Sequence, residues 1–114
     1  MAQNAPEFKD NDMYRLLRDE DIETFNQRKE AGEICDLTCA DFRNLVLTGI
    51  DAEGIDFSDC YFRGCDLRGI DFSQSKLEGA SIHDAQISGV LFPTSLRAEE
   101  IALSLEHGTR MRHY

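Results

Sequence analysis

CDLTC ADFRN LVLTG IDAEG IDFSD CYFRG CDLRG IDFSQ SKLEG ASIHD AQISG VLFPT, residues 35–94, divides without a gap into twelve units of five residues. The middle residues of the units are Leu37, Phe42, Leu47, Ala52, Phe57, Phe62, Leu67, Phe72, Leu77, Ile82, Ile87 and Phe92. The opening residues are Cys35, Ala40, Leu45, Ile50, Ile55, Cys60, Cys65, Ile70, Ser75, Ala80, Ala85 and Val90. Ser75 is the one polar residue among these 24 positions, whereas only Cys39, Val46, Tyr61 and Leu91 are apolar among the other 36. A period of five therefore sorts inside from outside, which neither the helical period of 3.6 nor the strand period of 2 does. Self-similarity at a short fixed period marks units that bury their apolar face only by stacking on their neighbours. The middle residues, apart from the undersized Ala52, are the predicted core.

Units such as ADFRN, IDFSD and CDLRG resemble the A(D/N)LXX unit of the pentapeptide-repeat family. The resemblance implies a β-solenoid, a right-handed quadrilateral β-helix with four units per coil, so twelve units make three coils. Leu or Phe then fills the interior, a small or branched opening residue packs beside it, and the residues between them face solvent at the corners. Glycines 49, 54, 64, 69, 79 and 89 all hold the fifth position, where a corner turn with positive φ favours them. Stacked at the strand spacing of about 4.8 Å, three coils span only about 15 Å.

The flanks change pattern. Residues 1–11 are polar, carry Pro6 and read as a loose tail. Over 12–34, the stripes Met13, Leu16, Leu17 and Ile22, Phe25 predict two short helices, around 12–18 and 20–31, that cover the open first coil. After Pro93, the hydroxyls of Thr94 and Ser95 predict the start of a helix over about 97–107, with Ile101 and Leu105 inward and a basic tail behind it that could fold back. Residues 95–114 thus read as the second cap. Ala52, in the first coil, and Leu91, in the last, fit capped ends, while Tyr61, which like Val46 replaces the usual Asp or Asn, lies in the middle coil and is predicted to be exposed.

With 22 acids against 12 bases and a formal charge of −10, the chain lacks the clustered cations that phosphate backbones or anionic membranes require. No run of about 18 apolar residues and no basic, apolar leader pattern occurs, so a cytoplasmic protein is expected. Cys35, Cys39, Cys60 and Cys65 are spaced unlike a zinc site, and three of them hold the inward opening position; neither a metal nor any other cofactor is expected. His83, His107 and His113 are dispersed, and the periodic aspartates belong to the repeat surface rather than to an acid–base pair, so no catalytic residue is assigned and no enzyme is predicted.

Counting units in fours divides the surface. Sides one and four carry Asp36, Asp56, Asp59, Glu78, Asp51, Glu53 and Asp71 with the single base Lys76, whereas sides two and three carry Asp41, Asp84 and Asp66 against Arg43, Arg63 and Arg68, with His83. Like charges stacked about 4.8 Å apart are unfavourable, which makes Asp36, Asp51, Glu53, Asp56 and Asp71 the candidate surface for a basic protein partner of unknown identity, or for the Arg110-Met111-Arg112 tail. Arg43, Arg63 and His83 form a second candidate ladder. A small protein-binding or scaffold module is the leading function. The family resemblance adds an alternative, a DNA mimic that binds DNA gyrase or another DNA-binding protein as the quinolone-resistance branch does, and a homodimer through one end of the solenoid. Three coils nevertheless fall short of half a duplex turn of about 34 Å.

Overall fold

In a computed structural model, which describes residues 5–114, the repeat winds so that residues twenty apart lie side by side. Parallel bridges join Asp56 to Lys76 on side one, Asp41 to Tyr61 to Ser81 on side two, Val46 to Asp66 to Gln86 on side three, and Asp71 to Leu91 on side four. The second residue of a unit donates its N–H to the coil before it, as Tyr61 does to the Ala40 carbonyl at 3.0 Å. The third and fifth residues donate to the coil after it, as Phe62 does to Ser81 at 2.8 Å and Gly64 to His83 at 2.9 Å.

Strands were expected on each side, but among the described residues the pairing consists of isolated bridges. The corners explain this. The opening N–H of a unit bonds the middle carbonyl of the unit before, Ile55 to Ala52 at 3.1 Å and Cys65 to Phe62 at 3.0 Å, which is the bond of a tight turn. A five-residue side that spends its ends on turns keeps one bridged residue.

Middle residues Leu37 through Ile82 are buried, with the rings of Phe42, Phe57, Phe62 and Phe72 in contact at centroid separations of 5.4 to 6.1 Å. Ile87 and Phe92, on sides three and four of the last coil, depart from the predicted core and are only half-buried. Ser75, the polar exception, donates to the Ala52 carbonyl at 2.7 Å; Cys60 and Cys65 donate across the same 23-residue offset to Leu37 and Phe42 at 2.8 and 2.7 Å. The opening position therefore accepts any small side chain that satisfies that carbonyl. At the corners, Cys39, Asn44, Asp59 and Asp84 adopt the positive φ that the reading assigned to glycine. Glycine is needed one coil above two of them: a Cβ at Gly64 would fall 2.3 Å from Asn44 Oδ1, and one at Gly79 would fall 2.0 Å from Asp59 Oδ1.

Helices form near the predicted places: α1 over Asp12–Arg18, α2 over Ile22–Glu30 and α3 over Ala98–His107. Asn11 and Asp21 cap α1 and α2 by accepting from the Tyr14 and Thr24 N–H groups. The start of α3 corrects the expectation. Leu96 N–H bonds the Pro93 carbonyl in a turn, so the helix begins at Ala98 with no side-chain cap, and Ser95 instead bonds His113.

The loose-tail reading also needs correcting, apart from residues 1–4, which lie outside the described residues. Glu7 pairs with Ala40, donating to Cys39 at 2.8 Å and accepting from Asp41 at 2.8 Å, and so supplies a strand-like residue below the first coil.

Candidate interaction surface

Each aspartate at the second position of a unit uses one oxygen at its own corner. Asp36, Asp41, Asp51, Asp56, Asp66 and Asp71 accept from the N–H two residues on, at 2.8 to 3.2 Å. Two hydroxyls at the fourth position add to this: Thr38 and Ser73 donate to Asp36 and Asp71 at 2.6 Å, and these bonds hold both carboxyls below the ordinary aspartate range. The corner bonds therefore orient these carboxylates.

Asp36, Asp51, Glu53, Asp56 and Asp71 are all exposed. Asp51 and Glu53 share a cleft with Asp71 and Gln74 on side four. Two of the five are partly neutralised from the N-terminal cap: Lys9 reaches Asp36 at 3.3 Å, and Lys29 reaches Asp51 at 3.2 Å. Among the described residues, Glu53, Asp56 and Asp71 form no ion pair.

The C-terminal tail does fold back, but onto other acids. Arg110 pairs with Asp59 at 3.2 Å, and Arg112 pairs with Glu78 at 3.4 Å. Met111 is fully buried between them, accepting from Gly79 N–H at 2.6 Å and donating to Ala80 at 2.9 Å. Tyr61 is half-buried rather than exposed, because Arg110 lies 5.0 Å from its ring centroid and donates to its hydroxyl at 2.8 Å. The sequence signal for this contact was the lone aromatic at a second position opposite a basic tail.

Sides two and three hold their charges in local pairs. Arg43 grips Asp41 through two atoms, at 3.0 and 2.7 Å, and Arg68 grips Asp66 at 2.9 and 2.7 Å. Burial alone would raise the Asp41 carboxyl, but the bonds and charge of Arg43, with the charge of Arg18, hold it low; Arg68 does the same for Asp66. Arg43, Arg63 and His83 consequently make no continuous ladder. Arg43 is paired, Arg63 is exposed with no carboxylate partner, and His83 lies against Gly108 and 3.6 Å from Asp84.

No group of three or more His, Cys, Asp or Glu among the described residues could hold a metal, and Cys35, Cys60 and Cys65 are free thiols. Burial raises the Cys60 thiol and pushes Cys65 up to about 12. Among the described residues the Ser95–His113 pair has no third member to orient it: Nε2 of His113 is buried without a partner there. No helix among the described residues is long and apolar enough to cross a membrane.

A family model described as pentapeptide repeats matches residues 55–92 in eight copies. The preceding four units, which contain Val46 and Ala52, lie outside the match, yet Asp41 and Val46 bridge to the matched residues in the same twenty-residue register. No curated protein and no solved structure matches the chain.

Proposed function

This chain is a pentapeptide-repeat protein over residues 55–92, and we propose that its coils form a right-handed quadrilateral β-helix that acts, without catalysis, as a protein-binding or scaffold module. Its partner is a basic protein surface, met by the edge of Asp36, Asp51, Glu53, Asp56 and Asp71. One observation carries this reading. The corner bonds account for aspartate at the second position, but they do not account for Glu53, exposed at a fourth position beside Asp51 and Asp71 with no cation to offset it. Acids held rigidly on one edge lose little freedom when a partner binds, and their field raises the rate of encounter. The four thiols favour a reducing compartment, the cytoplasm.

The test reverses the exposed charges. A partner captured from the native host on the wild-type protein is expected to bind the Glu53→Lys, Asp56→Lys variant more weakly and with a shallower dependence on salt. Unchanged affinity and slope would reduce the edge to solvation. The DNA-mimic alternative rests on the family resemblance and the charge of −10, and protection of gyrase supercoiling activity from a quinolone would favour it over the scaffold reading.

A specific observation favours a second mode of association, the end-to-end homodimer. Among the described residues, the N–H groups of Ile87, Gly89 and Phe92 find no backbone acceptor beside the exposed Leu91. A mass that rises with concentration in light scattering is the expected result for that assembly.

A further inference from the structure

Nine arginines serve a chain with 22 acids, yet two of them come together without a carboxylate partner. Arg15, Arg28, Arg43, Arg68, Arg110 and Arg112 each pair with an Asp or Glu. Arg97 lies over the Tyr114 ring, 4.6 Å from its centroid. Arg18 and Arg63 remain, and they line one open cleft of ≈ 370 Å³ with Phe8, Asp41, Arg43 and Asn44.

The cleft is built before anything enters it. Arg18 rests on the Phe8 ring at 4.8 Å from the centroid and donates to the Asp41 carbonyl at 3.3 Å, which fixes a long side chain from α1 over side two of the coil. The Asp41 carboxylate is almost wholly buried and already taken by Arg43, so it offers the opening little negative charge. Asn44 lies down over Gly64, where only glycine leaves room, and so keeps its amide at the same wall. Three guanidiniums against one satisfied carboxylate give a local charge of about +2. Fork-shaped donors around a pocket of this charge match a tetrahedral dianion better than a monocarboxylate.

We propose that the cleft between α1 and side two, formed by Arg18, Arg43, Arg63 and Asn44, binds a phosphate-type dianion, either the free ion or a phosphomonoester group. The proposal does not depend on the acidic edge or on the partner proposed for it.

Titration of the full chain with inorganic phosphate, glycerol 2-phosphate or acetate, followed through the arginine Nε–H resonances, tests it. Phosphate or glycerol 2-phosphate is expected to give saturable shifts at Arg18 and Arg63, with a Kd of about 1–10 mM for a small exposed site. Binding of phosphate alone identifies the free ion, and stronger binding of glycerol 2-phosphate identifies the monoester; either outcome supports the site. Arg63→Gln, an exposed position whose change leaves the fold intact, is expected to weaken binding about tenfold. Arg18→Gln should do the same, while Arg97→Gln should leave binding unchanged. Shifts that grow linearly without saturation, equal binding of acetate, or equal weakening by Arg97→Gln would each overturn the proposal.

Discussion

The two ends of the stack present the same problem, an apolar interior and a rim of unpaired N–H groups, and the chain solves it differently at each. At the first coil, Tyr14, Leu17 and Phe25 are fully buried, and the Tyr14 ring sits 5.5 Å from that of Phe42. The rim N–H groups of Asp41, Val46 and Asp51 go to Glu7, the Glu20 carboxylate and the Asn26 amide at 2.8, 2.6 and 2.9 Å, so three separate segments serve three sides. At the last coil, Gly79, Ile82 and Asp84 are served by Met111, the Ser104 hydroxyl and Leu105 at 2.6, 3.0 and 3.1 Å, all on sides one and two. Sides three and four stay open, and the one fully buried residue of α3 is a serine. Apolar plugging thus dominates one end and polar capping the other. An end of such a stack is closed only when both the interior and the rim are served.

Removing residues 95–114 should have the largest consequence, because it uncovers Ile82 and Leu77 and frees the rim of sides one and two together. Light scattering is expected to show aggregation or end-to-end association. A truncated chain that stays a stable monomer would mean that α3 and the tail do not cap.

Truncating one apolar residue at each end measures the asymmetry directly. Phe25→Ala, at a fully buried position, is expected to cost about 3–5 kcal/mol in denaturant unfolding. Leu105→Ala should cost about half of that or less, since Leu105 is already half-exposed. Equal costs would show the two ends to be covered alike.

Hydroxyl and amide caps should reverse the order. Ser104→Ala leaves the buried Ile82 N–H without an acceptor and is expected to cost about 1–3 kcal/mol. Asn26→Ala removes exposed bonds to Asp51 and Gly49 that water can replace, at about 1 kcal/mol or less. Thermal unfolding of the two variants side by side checks the sign of the difference.

Much of this architecture was legible because a five-residue count needs no tertiary information. Leu67 and Phe62 had to be interior once the period was seen, and the two stripes containing Leu17 and Phe25 pointed to the N-terminal plug. The failures share a cause: they depend on which segment happens to arrive at a rim. Glu7 belongs to no pattern and joins the ladder only because the first coil needs an acceptor there. Met111 looked like part of a charged tail and is fully buried, while Ile87 and Phe92 satisfied the count and are left half-covered. In the candidate surface, the acidic columns were countable, but Lys9 and Lys29 reaching Asp36 and Asp51 were not, since both cations come from outside the repeat. The Arg18–Arg63 cleft was invisible for the same reason, as half of its charge comes from α1.

Acid should loosen the repeat corners rather than either cap's apolar contacts, and this is the smallest of the expected effects. The depressed carboxyls of Asp36 and Asp41 sit in the first coil, and those of Asp66 and Asp71 sit in the second. A carboxyl whose pKa is lower folded than unfolded stabilises the fold above the unfolded value of about 3.9, and the benefit is lost as pH falls through the folded value. Unfolding free energy is therefore expected to be flat near neutrality and to drop below about pH 4. Asp41 provides the cleanest dissection, being buried and gripped by Arg43 through two atoms. Asp41→Asn keeps an oxygen for the Arg43 N–H but loses the charge, so it should cost about 1 kcal/mol at pH 7 and less as the pH falls, where the wild-type carboxylate is itself protonated. Wild type and variant should converge toward the acid end of urea titrations taken across the range. A cost that is the same at both ends of the pH range would mean that the Asp41–Arg43 pair acts through shape alone, leaving the first coil no more acid-labile than the last.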